Sequence, residues 1–544
     1  MNNNKTFRTG ILLLVVAMCA SLTSCFEDDV NRSMYEADAD EMQRENYVVG
    51  ATLRGMQGLV IPTQEHLYQF MDAMAGGSYG GYMEGIVDTW VMKFSIFNPE
   101  SGWLKSPFAD PITRLYPQYR DMLAKTDDPV ALALGKILRV CAMHRVTDMY
   151  GPIPYSKMLD ASNAGDNLAV PYDSQEDVYR AMLSELAEAD AVLADNEHLS
   201  ADAFRKLEDL YYGDLTKWRK FCHSMQLRMA MRMAYVDPAE ARRIAEAAVA
   251  AGVIERNEDN AMLHVAENRS ALMFNDWNDY RISADLVSIM GGYEDPRLEK
   301  MFVKGTADIK GPDGTVTKQQ GYYGVRIGTI SRKKDDMINL YSKQVITSAD
   351  PYLWFNAAEA TFLRAEGALR GWSMGGGAKD LYERAIALSF DERGASGADQ
   401  YVKDAVKTPA DYVNPMDGGD ISYSHPAVTD ITIAWEEGNF ERNLERIITQ
   451  KWIAIFPLGI EAWAEHRRTG YPRLLPSVEN KDPNNSVNTS IGARRMPYPA
   501  DEYADNPANM AQAVQMLAGP DAYGTRLWWD VKDHSSDAAM TQKP

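Results

Sequence analysis

Apolar residues recur along this chain at helical spacing, block after block. Val178, Met182, Leu186, Ala189 and Leu193 stand 4, 4, 3 and 4 positions apart, which places them on one stripe of a helix. Ser174 and Asp177 supply a capping-box start for it. Leu215, Trp218, Cys222, Met225 and Met229 form a second stripe. Asp237-Pro238 opens and Gly252 closes another helix, following the preference for Pro at the start and Gly past the end. Phe355, Ala358, Phe362, Ala365 and Leu369 form a stripe that ends at Gly371, and Ala378, Leu381, Ala385 and Leu388 supply its partner. Ile448, Trp452 and Ile455 make one more, which Pro457 must kink or break.

Strand-like alternation is thin, so the pattern predicts a mostly α protein. Helix pairs of this size are similar to tetratricopeptide stacking, whose period is about 34 residues, although no clean repeat register emerges. Residues 303–350 and 390–440 resist helix assignment. Residues 470–544, rich in Pro, Gly and Asn, read as ordered loop with a helix near 507–518. Residues 62–105 are the exception in composition. They carry Tyr68, Phe70, Tyr79, Tyr82, Trp90, Phe94, Phe97 and Trp103 with glycines at 76, 77, 80 and 81. Their helical period is weak, which predicts a long functional loop.

The N-terminus has its own pattern. Lys5 and Arg8 precede a nearly all-apolar run over residues 11–20, and Leu22-Thr23-Ser24-Cys25 closes it. This is the order of a secretory signal, and the run is shorter than the roughly 20 residues of a membrane span. A cysteine at the cleavage point resembles a bacterial lipobox. The reading is a signal over residues 1–24, Cys25 lipidated as the mature N-terminus, an acidic tether beginning Phe26-Glu27-Asp28-Asp29, and one domain over 25–544. The lipid would be the sole membrane attachment.

Composition is ordinary for a globular chain. The net charge of −21 becomes −23 when Lys5 and Arg8 leave with the signal. Such a field repels nucleic acid and anionic lipid. Cys141 and Cys222, the cysteines beyond Cys19 and Cys25, sit in apolar stripes and form no disulfide framework.

A series of short motifs carries a family resemblance. Arg145-Val-Thr-Asp-Met-Tyr-Gly-Pro-Ile-Pro-Tyr155 looks like the turn signature of the SusD/RagB outer-membrane lipoproteins of Bacteroidetes. Lys217-Trp218 through Arg228-Met-Ala-Met-Arg232 is similar to their arginine-rich helix, departing from Ala-Asn-Ser with Cys222-His223-Ser224. Asp295-Pro296-Arg297, Ala365-Glu366-Gly367-Ala368, Thr449-Gln450-Lys451-Trp452, Glu461-Ala462-Trp463 leading to Arg467-Arg468-Thr469-Gly470-Tyr471-Pro472, Arg495-Met-Pro-Tyr498-Pro499 and Leu527-Trp528-Trp529-Asp530 follow in order. The resemblance implies a tetratricopeptide-like helical solenoid with a large, irregular, loop-rich ligand-binding half. It also implies a surface protein acting as the lid of a SusC-type TonB-dependent transporter, binding glycans, or in some branches peptides, without catalysis.

Sugar rings present apolar faces rimmed by hydroxyls, so aromatic faces beside amides and carboxylates suit them. Tyr79, Tyr82, Trp90 and Trp103 supply faces in the first aromatic segment. Asn275, Asp276, Trp277, Asn278, Asp279 and Tyr280 supply the same mix in six consecutive residues, and Tyr322, Tyr323 and Arg326 form a third group. The first two segments are expected to converge on one exposed face. Arg228, Arg232, Arg467 and Arg468 read as helix-surface and inter-helix salt bridges, and Trp528-Trp529 as packing of the C-terminal segment. No cofactor is called for. The run Asp276 to Asp279 has oxygen ligands of the kind calcium takes, without diagnostic spacing, and no His or Cys spacing suits zinc. Gly-x-Ser-x-Gly occurs around Ser78 and Ser373, but neither serine follows a strand pattern, as a nucleophile elbow requires. A helical glycoside hydrolase stays open as an alternative, as does the same architecture binding peptides.

Overall fold

The computed structural model describes residues 47–160, 169–311, 313–330, 333–416 and 423–533. The lipobox with Cys25, and the acidic tether after it, lie outside them. The long helices are α1 (Tyr47–Val60), α2 (Ser101–Lys125), α3 (Pro129–Tyr150), α4 (Gln175–Asn196), α5 (Leu215–Arg232), α6 (Pro238–Ala251), α7 (Ala357–Leu369), α8 (Ala378–Glu392), α9 (Phe440–Ala454) and α10 (Gly459–Thr469). Neighbours in sequence pack together: α3 on α4, α4 on α5, α5 on α6 and α7 on α8, while α7 also packs on α5 and α9. This is the tetratricopeptide-like stacking that the stripes predict. Their residues are core: Val178, Met182, Leu186, Ala189 and Leu193 are all buried, as are Trp218, Cys222, Met225 and Met229.

Helix ends obey the chemistry in the sequence. Ser174 Oγ accepts the Asp177 N–H, Asp237 caps α6, and Gly252 ends it at φ +101°. Pro457 separates α9 from α10. The expected helix near 507–518 spans Pro507–Gln515. Among the described residues the strands are short and pair by twos: β1 (Met83–Gly85) with β3 (Tyr280–Ile282), β2 (Ala261–Leu263) with β8 (Tyr352–Phe355), β4 (Phe302–Val303) with β7 (Lys343–Gln344), and β5 (Gly305–Lys310) with β6 (Val316–Gly321).

Two expectations need correction. The start of the 62–105 segment is not a loop. Glu65–Tyr68 is helical and continues as a π-helix over Gln69–Gly77, nearly all of it buried. Its glycines let it touch α10 backbone to backbone: a Cβ on Gly76 would lie 2.8 Å from Ile460 N, and one on Gly459 2.3 Å from Gly76 C. No side chain fits there.

The arginines are the second correction. Arg228, Arg232, Arg467 and Arg468 are buried rather than on helix surfaces, while the expected inter-helix ion pairs form for Arg228, Arg232 and Arg468. Arg232 reaches Glu465 at 2.5 Å, Glu461 at 2.6 Å and Asp148 at 3.3 Å. Arg228 forks onto Glu359 at 2.8 and 2.7 Å. Arg468 forks onto Glu366, which Arg370 also reaches, and contacts Glu465. Lys451 lies 3.2 Å from Glu461, 3.6 Å from Glu465 and 3.7 Å from Glu359. The knot ties α3, α5, α7, α9 and α10 together. Burial alone would raise the Glu461 carboxyl, yet Arg232, Lys451 and Arg228 hold it well below the usual carboxylate range. Arg467 instead lies over the Trp463 ring at 3.6 Å and donates to the carbonyls of Asp148 and Arg494. Trp529 is buried, with its indole N–H on Asp148.

Candidate functional site

β1 pairs antiparallel with β3, Met83 opposite Ile282 and Gly85 opposite Tyr280. The two aromatic segments therefore meet, almost 200 residues apart in the chain. The loop after β1 carries Trp90 back over the strand pair. A Cβ on Gly85 would come within 2.8 Å of the Trp90 ring, so the glycine is what lets the indole lie against β1. The loop is clamped from beneath. Buried Glu84 accepts from Lys93 Nζ at 2.6 Å, Ser95 Oγ at 2.9 Å and the Gly328 N–H at 3.0 Å.

Trp90 packs edge-on against Trp103 at 5.6 Å and tilted against Tyr280 at 5.8 Å. Trp103 in turn stacks on Phe70 at 6.0 Å. Four residues before Phe70, on the same helical run, His66 stacks on Trp277 at 5.4 Å and 18°. Trp90, Trp103, Phe70 and Trp277 are half-buried and His66 is exposed. The result is a ridge of five rings in two contacting groups, Trp90–Trp103–Phe70 and His66–Trp277, both carried on the helical run Glu65–Gly77; exposed Val91 and Met92 follow Trp90 in sequence. Its polar rim comes from the 275–279 turn. Asn275 and Asp276 are exposed. Asn278, at φ +54°, donates to Asn275 O and accepts from Arg281 Nη2. Lys334 Nζ donates to Asp279 Oδ1 and to Trp277 O, each at 2.6 Å.

The remaining sequence candidates lie elsewhere in the packing. Tyr82 is fully buried, donates its hydroxyl to Trp452 O, and packs 5.0 Å from that ring. Tyr79 is buried between Trp463 at 4.8 Å and Phe97 at 6.0 Å. Tyr280 is buried beneath Trp90, and burial pushes its hydroxyl pKa up. Tyr82 and Tyr280 lie within the packing, whereas Tyr79, with Phe97 and Trp463, lines a small cavity of about 40 Å³. Tyr322 and Tyr323 are half-buried; Tyr322 meets Lys304 at 5.5 Å. Arg326 is committed to protein carbonyls, those of Tyr423 at 2.9 Å and Pro476 at 2.6 Å. His66 is not among the sequence candidates; its i, i+4 spacing to Phe70 is the signal that could have found it.

Asp279 is held by Lys334, and no group of three or more His, Cys, Asp or Glu among the described residues is placed to bind a metal. Ser78 is buried and follows the π-helix; Ser373 follows α7. Neither stands on a strand-to-helix elbow. No helix of the described residues is long and apolar enough to cross a membrane.

A family model described as SusD-like, Susd and RagB outer membrane lipoprotein, matches residues 29–530. Solved structures resemble most of the chain. A SusD homologue from Bacteroides thetaiotaomicron is 53% identical, with 89% of this chain and 99% of that one covered and a TM-score of 0.82. One from Bacteroides ovatus is 39% identical over the same shares, also with a TM-score of 0.82. A chitin-binding SusD homologue from Flavobacterium johnsoniae is 37% identical, again with 89% and 99% covered, at a TM-score of 0.80. Comparison with curated proteins gives no match.

Proposed function

The chain belongs to the SusD-like family of SusD and RagB outer-membrane lipoproteins, and from that premise we propose that it is a cell-surface glycan-binding lipoprotein serving as the lid of a SusC-type TonB-dependent transporter in oligosaccharide uptake. The observation that carries the reading is the aromatic ridge: half-buried rings fixed by packing, beside a rim of amides and a carboxylate. Rings already locked in place lose little entropy when a sugar stacks on them. The ridge offers stacking and hydrogen bonding, and its buried carboxylate, Asp279, is tied up as an ion pair. Retention rather than bond cleavage is the chemistry this supports.

Lipidation of Cys25 would anchor the body to the outer membrane, and no other attachment is invoked. Tethered above a barrel, the protein raises the effective concentration of glycan at the entrance. Opening and closing would then load and deliver it.

Two measurements test the reading. Calorimetric titration of residues 26–544 with chito-, malto-, xylo- and cello-oligosaccharides is expected to show saturable binding to one class. The chitin-binding relative makes chito-oligosaccharides the first to try. Affinity purification from native membranes is expected to recover a TonB-dependent barrel. Binding of a peptide library with no sugar bound would replace glycan by peptide, and recovery of no barrel would remove the transporter.

A further inference from the structure

A cleft of about 390 Å³, apart from the ridge, opens beside the C-terminal half of α1. Arg54, Thr63, Asp209, Tyr212 and His264 contribute to its lining. Tyr212 is the outlier in it. The residue is 42% exposed, and its φ is +52°. Bulky residues rarely enter that left-handed region, whereas glycine or asparagine occupies it at little cost. The turn does not need a tyrosine, so the ring itself calls for an explanation.

The surrounding loop is built to hold that ring outward. The Glu208 carboxylate, fully buried, accepts the N–H groups of Leu210 at 2.7 Å, Tyr211 at 3.0 Å and Gly213 at 2.6 Å, and the Gln57 amide at 3.1 Å. Gln57 Oε1 accepts the Asp209 N–H at 3.0 Å. Tyr211 points into the core and donates its hydroxyl to Asp259 O at 2.9 Å. Tyr212, next along, has no inward course. Its ring stands 6.3 Å from that of His264, tilted by 32°, and His264 is exposed.

Two aromatic faces with a guanidinium, a carboxylate and a hydroxyl around one opening make up the donor, acceptor and apolar set that a pyranose ring requires. The volume lies within the range of small-molecule clefts, about 300–1,000 Å³. The cleft also adjoins the ridge. Glu65 and Arg269 form a two-pronged ion pair at 2.6 and 2.9 Å. On one segment the order is Thr63, Glu65, His66; on the other it is Ala266, Arg269, Trp277. In both, a cleft residue leads through the ion pair to a ridge residue.

We propose that this cleft is a second saccharide-binding site, in which one or two sugar units stack on Tyr212 and His264 and hydrogen-bond to Arg54 and Asp209. It extends the footprint of a glycan that also occupies the ridge, and so rests on the glycan reading above. The test compares Tyr212→Asn with His264→Ala, as a pair, against Trp90→Ala with Trp277→Ala. Asparagine tolerates the left-handed backbone, so the first pair keeps its thermal midpoint. Titration uses chito-, malto-, xylo- and cello-oligosaccharides of two to eight units. The cleft pair is expected to weaken binding of the longer oligomers about fivefold or more and to leave dimers unchanged; Tyr212→Phe restores the loss. The ridge pair weakens every length. Full affinity of the folded cleft pair for all oligomers, with loss only in the ridge pair, overturns the second site and leaves the glycan reading standing. Loss only in the cleft pair makes the cleft the principal site. Binding of no oligomer by the unaltered protein overturns the glycan reading and the cleft together.

Discussion

Replacing Arg232 by methionine removes the central cation of the buried knot while nearly preserving volume. The ion pairs of that knot join five cations, Arg228, Arg232, Arg370, Lys451 and Arg468, to five carboxylates, Asp148, Glu359, Glu366, Glu461 and Glu465. The variant carries one uncompensated negative charge. Breaking a buried pair in this way typically destabilises by about 3–5 kcal/mol. The charge itself sets a ceiling on its own cost, because the folded protein can neutralise it by taking up a proton. From the ordinary glutamate value of 4.5, protonation at about pH 7 costs about 3.4 kcal/mol, at about 1.36 kcal/mol per pH unit. At about pH 5.5 the same step costs about 1.4 kcal/mol. The sign follows. The orphaned carboxyl is raised in the folded variant, so its penalty is present above that raised value and relieved as pH falls through it. Urea denaturation followed by tryptophan fluorescence should show Arg232→Met less stable by about 3 kcal/mol at pH 7, near that ceiling, with the gap narrowing by up to about 2 kcal/mol at pH 5.5. A gap under about 1 kcal/mol at pH 7, or one that widens on acidification, would refute the argument.

Three further outcomes are expected. Trp90→Ala with Trp277→Ala should weaken oligosaccharide binding roughly tenfold, since each lost stack is worth about 0.5–1.5 kcal/mol, with the circular dichroism spectrum unchanged; full affinity in the folded variant would move the search to Tyr322 and Tyr323. Cys25→Ser should lose acyl label and leave the outer-membrane fraction, and retention there without label loss would sink the lipobox reading. Glu366 is lowered to about 2, because Arg468 and Arg370 overcome the effect of burial; its contribution is present above about pH 4.5 and lost as pH falls towards 2, so Glu366→Gln should flatten the acid limb of the stability curve measured by thermal melts.

The helices were legible because burial of one stripe leaves a 3.6-residue period, and Val178 to Leu193 shows it plainly. The buried knot was not, because charged side chains default to a surface reading. A signal was present: Arg228 and Arg232 follow Met225 and Met229 by three positions, which sets them on the apolar face, and Glu461 and Glu465 on α10 stand four apart, as Arg228 and Arg232 do. The π-helix was masked by its glycines, whose purpose is backbone contact with Gly459 and Ile460. The convergence of the 79–103 and 275–280 segments could be inferred from shared composition. Which aromatics face outward could not. Tyr82 and Trp90 look alike as letters, and their fates are decided by Trp452, some 370 positions away, and by Gly85.

That distance bears on how the protein comes to exist at all. Trp452 Nε1 donates to Gly80 O and Tyr82 donates to Trp452 O, while Gly76 rests on Gly459. The floor beneath the ridge is thus made from the last third of the chain. Contacts so far apart in sequence close slowly, since the intervening loop must first give up its freedom. A nascent chain carries its tryptophans long before anything exists to seat them. Binding competence is therefore a late checkpoint of maturation: a chain cut short of Gly459 holds every residue of the ridge and no ridge.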